Sequence, residues 1–308
     1  MAVYAIAAHA NPKKLDALLE ILNGRNVYLH LDKSVKRQNF LKELGNLHNP
    51  GLKVLEESES IRVNWGGFSQ LKLQFKFIEK YLQDTDSFGP LVLLSGECYP
   101  IKKLVEFEEF LQTKNDFISV FKIPELQSQS ANPVDQHRIN KITRIYLQDL
   151  RFLKKIKKRG SLVYKIASFP SKLIRTMKIP NLRIDTSAEF YEGSDWIAIG
   201  KDLAKDLITH KDEILKEFRY CFCPSEIAIQ SYFGRLNTTE EENEFESKSQ
   251  IVSTNSAAEH APFHYIHPSL NYSWELKDLE QIISSEKYFI RKPDLRLIGY
   301  LRDKIINL

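Results

Sequence analysis

Several residues in this chain have the types and spacing for chemistry. Asp84 and Asp86 are one residue apart, the arrangement in which two carboxylates chelate a divalent ion through oxygen. A catalytic pair of this kind belongs at the exit of a strand. This pair precedes the apolar run 90–94, so it reads as a solvated turn. Cys221 and Cys223, with His264 and His267, invite a zinc reading. A structural zinc site takes four ligands, usually as two spaced pairs. Here the pairs stand about 40 residues apart with unusual spacings, which favours core or surface roles. Pro224-Ser225-Glu226 opens a helical stretch in which Ser225 suits the N-cap and Glu226 falls in the first turn. An acid there complements the helix dipole, or serves as a carboxylate base. Arg291 and Lys292 lie between a strand and the last helix. Trp65-Gly66-Gly67 lets a backbone approach a ligand closely, or simply makes a tight turn. Trp196 is a stacking platform for a ligand or a core aromatic.

The elements that position these residues follow from periodicity. Residues 2–8 form a short apolar run, a buried strand. Leu15, Leu18, Leu19 and Leu22 then give the stripe of an amphipathic helix over 12–23, with Pro12 in its first turn. Residues 26–31 are a second strand ending at Asp32. This βαβ unit predicts a parallel sheet. In open α/β sheets ligands gather at the carboxyl ends of strands, which makes Asp32 a candidate; the alternative is a cap for a helix over 35–43. Strands are expected at 61–64, 90–94, 117–121 and 196–199. Helices are expected at 68–82, 102–112, 201–218, 225–234, 276–285 and 294–306. Residues 124–135 read as a loop and 136–158 as a basic amphipathic helix. The expectation is one α/β domain over 1–308, with a basic segment at about 135–180.

Composition narrows the classes. The chain has 308 residues, 43% hydrophobic and 27% charged, which is ordinary for a globular protein and excludes a disordered one. No apolar run approaches the ~18 residues of a membrane span. The N-terminus lacks the basic region of a signal peptide, and three cysteines make no disulfide framework. A cytoplasmic setting is expected. There is no GxGxxG, no P-loop and no GxSxG elbow. The net charge of +4 is mild, but residues 138–178 hold 13 basic residues against one acid, Asp149. That segment reads as a solvated basic face or as an element drawn to an anionic membrane. No nucleic-acid signature accompanies it.

Seven segments in series resemble the core-2/I-branching β-1,6-N-acetylglucosaminyltransferases, glycosyltransferase family 14, which also includes the peptide O-xylosyltransferases. They are VYAIAAHANPKKLDALLEIL (3–22), VYLHLDKS (27–34), VNWGGFSQLKLQ (63–74), LLSGECYPIKKLVEFEEFL (93–111), EGSDWIAIGKDL (192–203), CPSEIAIQSYF (223–233) and YFIRKPD (288–294). The stretch 124–185 carries little of the resemblance. The resemblance implies a GT-A-like fold, with a nucleotide-binding part over about 1–122 and an acceptor and catalytic part over about 185–308, and inverting transfer from a UDP-sugar, with N-acetylglucosamine as first guess. It implies a β linkage to a glycan or lipid-linked glycan, and no metal cofactor. Compact bacterial members of this type are linked to surface-polysaccharide assembly. It makes Glu226 the general base, and Lys292 with Arg291 the diphosphate ligands. It places His9, Asp32 and Trp65 at the nucleotide and Glu97 and Trp196 at the acceptor or sugar. Two positions depart from the family. Tyr272 stands where a second basic residue is usual, with Arg291, His264 or His267 to compensate. Cys98 stands where the family has an acid, with Glu97 beside it. The other reading is a non-catalytic, basic membrane- or polyanion-binding protein that keeps the fold.

Overall fold

A computed structural model describes residues 1–84, 89–127, 132–149, 177–237, 261–267, 269 and 271–306. Its centre is strand β1 (Val3–Ala8), flanked by β2 (Asn26–Leu31) and β4 (Leu91–Ser95), all parallel. A short helix α2 (Arg37–Lys42) leads to β3 (Leu52–Val54), which extends the parallel set beyond β2, and β8 (Ala198–Ile199) closes the other edge antiparallel to β4. The order is β3-β2-β1-β4-β8. This is the mixed α/β architecture that the βαβ pattern predicts.

Alternation along β1 explains the two layers. Val3 and Ala5 face a core built with Leu71, Phe75 and Ile78 of helix α3 (Phe68–Gln83). Tyr4 and Ile6 face the opposite side, where Leu15, Leu18 and Leu19 of helix α1 (Pro12–Ile21) cover the sheet. Helix α4 (Leu104–Phe110) adds Leu104 and Phe107 to that second layer. Sheet faces that alternate in this way must be covered on both sides, and the central strands β1, β2 and β4 are accordingly almost wholly buried, while the edge strand β3 stays partly exposed.

Two smaller sheets complete the frame. β5 (Cys98–Pro100) pairs antiparallel with β10 (Phe289–Arg291), which pairs parallel with β9 (His264–Tyr265). β6 (Val120–Lys122) pairs antiparallel with β7 (Tyr191–Gly193). A Cβ on Gly193 would lie 1.9 Å from the Ser119 carbonyl oxygen. Gly193→Ala therefore forces the β6–β7 pair apart. The expected cost is ~1–3 kcal/mol, read as a lower melting temperature; an unchanged one would contradict this packing.

Several expected elements are corrected. Residues 61–64 are not a strand. The N–H of Ile61 donates to Nε2 of His30 and that of Val63 to Asp32, so side chains take the hydrogen bonds a neighbouring strand would need. The basic helix is α5 (Pro133–Thr143), capped by the Asn132 side chain, which accepts from the Val134 N–H. It starts within the expected loop and stops at Arg144, where the chain turns extended and bridges to Pro180. Residues 150–176, the bulk of the basic run, lie outside the described residues. The helix expected at 201–218 is broken at His210 into α6 (Lys201–Thr209) and α7 (Lys211–Glu217). The stretch 225–234 is a 3₁₀ turn, Pro224–Glu226, followed by α8 (Ala228–Asn237). Near the C-terminus, α9 (Leu279–Ile283) follows a 3₁₀ turn, and α10 (Leu295–Leu301) runs into a π turn. Among the described residues no helix is long and apolar enough to cross a membrane.

Candidate active site

At the carboxyl ends of β1, β2 and β4 the chain makes its first cluster. Asp32 is buried, and its carboxylate accepts from the Ser34 N–H at 2.7 Å, the Ser34 hydroxyl at 2.5 Å and the Val63 N–H at 2.7 Å. These bonds fix the exit of β2 to the loop that leads to Trp65. His9 is exposed at the exit of β1. Asn11 follows in a left-handed conformation, φ 53°, and donates to Glu97 at 2.6 Å.

The cations expected at the diphosphate meet this cluster from β10. Lys292 has φ 63°, a conformation that a lysine adopts only when its surroundings enforce it. The enforcement comes from three hydrogen bonds. Its N–H donates to the Glu97 carbonyl at 2.8 Å, and its own carbonyl accepts from the Trp274 N–H and the Ser273 hydroxyl. Burial, then the charges of Arg291 and Lys14, pull the Lys292 amine below its usual range, against Glu97. Three cations thus converge where β1 passes into α1. An anion there relieves their mutual repulsion.

Arg291 lies over the Trp196 ring, 5.4 Å from its centroid. Trp196 rests on His264, with ring centroids 5.2 Å apart, and Nε2 of His264 is 3.2 Å from the Cys98 sulfur. Burial pushes the His264 pKa far below its ordinary value, so this imidazole is neutral and does not replace a missing cation. His267 stacks on Tyr272 at 4.0 Å, and the Tyr272 hydroxyl donates to Asp278. The two histidines therefore serve different clusters. Cys221 packs by Asn181 and Cys223 by Gly66, and among the described residues no three potential ligands gather for a metal. Asp84 accepts from Tyr28 and pairs with Lys53 at 2.6 Å; Asp86 lies outside the described residues.

Glu226 ends the 3₁₀ turn that starts at Cys223, itself left-handed at φ 50°. The Cys223 N–H donates to the Gly66 carbonyl at 3.0 Å, which joins this turn to the Trp65-Gly66-Gly67 loop. Gly66 has φ 69°, and a Cβ there would sit 2.7 Å from the Phe222 ring. Trp65 meets Phe222 edge-on at 5.6 Å and is 65% exposed. The Trp65 side chain is thus placed beside the turn that carries Glu226.

The Glu226 carboxylate takes a cation from α5. Nζ of Lys141 is 3.3 Å from Oε2 of Glu226 and also bonds Glu192 of β7, whose other oxygen is 3.4 Å from Arg138. Lys141 is only 8% exposed. Burial would discharge it, but Glu192 and Glu226 outweigh that and hold its pKa above the usual lysine range. Burial raises the Glu226 carboxyl, Lys141 lowers it, and Asp195 and Glu192 raise it again, to about 7. A carboxylate so poised accepts a proton near neutral pH, which is the requirement for a general base. Its side chain keeps 31% exposure, enough for a substrate to reach it.

With this geometry in place, comparison decides the family. The model of the core-2/I-branching enzymes matches residues 3–267. The chain belongs to the core-2/I-branching enzyme family. It is a glycosyltransferase. A crystal structure of mouse xyloside xylosyltransferase 1 in its apo form aligns over 94% of this chain and 97% of its own, with 10% identity and a TM-score of 0.38. No curated protein sequence matches the chain.

In this branching-family glycosyltransferase, sequence reasoning missed Lys141, Glu192, Asp195 and Gln74. Lys141 was hidden in a run of cations that reads as one charged face. Asp195 lies in EGSDW directly before Trp196, and a lone acid there has no spacing that marks it. Gln74 lies on the buried side of α3, where its amide reaches Asp195 and the Ser225 carbonyl.

Proposed function

We propose that this enzyme moves a sugar, with N-acetylglucosamine as the first candidate, from a UDP-sugar to a glycan or lipid-linked glycan acceptor. The transfer inverts the anomeric carbon and gives a β linkage. The observation that carries the reading is the pairing of Glu226 with Lys141 at one side of a site whose other side holds Arg291, Lys292 and Lys14. Asp195 connects the two: its charge acts on Glu226, and Arg291 acts on it. Glu226 takes the proton of the acceptor hydroxyl as that oxygen attacks the anomeric carbon. The bond to UDP breaks, and the negative charge on the departing diphosphate falls to the three cations. His9 and Asp32 border the nucleotide at the exits of β1 and β2, and Trp196 carries Arg291 beside the sugar. Glu97 holds Asn11 and the Lys292 backbone in place. Transfer needs no metal in this reading; the engagement of Asp84 with Lys53 and Tyr28 supports it. The enzyme works in bacterial surface-polysaccharide synthesis at the cytoplasmic face of the membrane, with residues 138–178 drawn to anionic lipid.

Turnover of a UDP-sugar panel in EDTA, read as UDP release, tests this. One UDP-sugar is expected to respond with full activity in EDTA. Silence across the panel with no UDP binding would favour a non-catalytic binding protein. For the lipid contact, co-sedimentation with phosphatidylglycerol vesicles is expected to fall steeply with salt, while binding to neutral vesicles stays low.

A further inference from the structure

We propose that Asp195 reads the transferred sugar, accepting hydrogen bonds from the ring hydroxyls of a neutral sugar and excluding sugars that carry a carboxylate. The proposal rests on the UDP-sugar reading above and names the chemical class of its donor.

Asp195 sits in the turn between β7 and β8, and this turn is fixed from three sides. The Gln230 amide donates to the Ser194 carbonyl at 2.8 Å, and the Ser194 hydroxyl accepts from the Trp196 N–H at 3.1 Å. The Gln74 amide, itself 7% exposed, reaches the Asp195 Oδ1 at 3.5 Å and the Ser225 carbonyl at 3.3 Å. One side chain of α3 thereby sets Asp195 against the residue that precedes Glu226. The next residue along the chain, Trp196, carries the Arg291 guanidinium. Asp195 is thus placed between the carboxylate that takes the acceptor proton and a cation that takes the diphosphate. In a direct displacement the sugar ring occupies that interval.

The chemistry of the position matches a sugar. Asp195 is partly shielded from water, and neither cation whose charge acts on it forms an ion pair with it among the described residues: Lys141 is paired with Glu192 and Glu226, and Arg291 lies over the Trp196 ring. A shielded carboxylate that makes no direct ion pair is costly unless donors satisfy it. Ring hydroxyls supply such donors when the sugar binds. Burial raises the Asp195 carboxyl above its usual range, against the Ser225 hydroxyl, Arg291 and Lys141. Hydroxyls that donate to the charged form restore it. A carboxylate on the sugar does the reverse, since it adds a fourth acid to Glu192, Asp195 and Glu226 around one buried lysine. Like charges brought together in this way are strongly disfavoured.

The test compares UDP release from UDP-N-acetylglucosamine, UDP-glucose, UDP-xylose and UDP-glucuronic acid by the full chain and by Asp195→Asn. UDP binding is measured separately by calorimetry. The wild type is expected to prefer its neutral donor over UDP-glucuronic acid by ~10²-fold or more in kcat/KM. Asp195→Asn is expected to cut that preference ~10-fold or more and to lower kcat/KM for the neutral donor, with UDP affinity unchanged. A wild type that uses UDP-glucuronic acid as readily as a neutral donor overturns the proposal, even where the variant fails to fold. An unchanged preference in a folded variant overturns it as well. Should the wild type neither bind UDP nor turn over any donor, the UDP-sugar reading falls and this proposal with it.

Discussion

Glu226→Gln is expected to lower turnover by ~10²–10⁴ while leaving UDP binding intact. Glutamine keeps the size of the side chain and still accepts a hydrogen bond from Lys141, but it cannot take a proton from an acceptor hydroxyl. Lys141 retains Glu192, so the substitution leaves no buried cation without an anion. The fold should survive, and the melting temperature with it. Arg291, Lys292 and Lys14 are untouched, so the diphosphate contact persists. The loss therefore belongs in kcat, with little change in the affinity for UDP measured by calorimetry. A variant that turns over near the wild-type rate would remove Glu226 from the role of base. A variant that loses UDP affinity in proportion would mean that the residue acts through the donor site.

Lys141→Met is expected to move the pH dependence and to weaken the fold together. Lys141 is the charge that opposes burial, Asp195 and Glu192 at the Glu226 carboxyl. Without it that carboxyl rises above about 7, and at neutral pH the base is already protonated. The ascending limb of kcat/KM should shift alkaline by ~1 pH unit or more, and raising the pH should recover activity. Lys141 is also buried between two acids, and removal of one partner from such a group costs ~3–5 kcal/mol. Arg138 remains on Glu192, which places the expected loss near the lower end. Lys141→Arg keeps the charge and should restore the position of the limb. A purely structural role would lower activity in the methionine variant without moving its pH profile.

The parts of this protein legible in its sequence are those written as local patterns. The leucine stripe of α1 and the apolar runs of β1, β2 and β4 each fix their own element, and together they set the parallel sheet. The Pro224-Ser225-Glu226 segment was legible through the resemblance and lies within residues 3–267, which the family model matches; Arg291-Lys292 lies beyond that match and rests on the resemblance alone. What was not legible depends on partners far along the chain. Residues 61–64 have a strand's composition, but His30 and Asp32, 31 residues earlier, take their N–H groups. Lys141 meets Glu192 across 51 residues, and Cys98 meets His264 across 166. No period or spacing announces such pairs. The basic helix ends at Thr143, short of the expected 158, for a related reason: charge continues past Thr143, but the backbone there pairs with 179–181, and charge does not encode that pairing. Glu226 was expected in the first turn of a helix, and it lies in a 3₁₀ turn set by the left-handed Cys223.

The most direct measurement is kcat/KM against pH, from 5.5 to 8.5, for the wild type and Glu226→Gln with the donor that responds. The wild type should show an ascending limb near pH 7, where Glu226 gives up its proton, and that limb should vanish from the residual activity of the variant. A flat wild-type profile, or a limb that persists unchanged in Glu226→Gln, would contradict the assignment of Glu226 as the base.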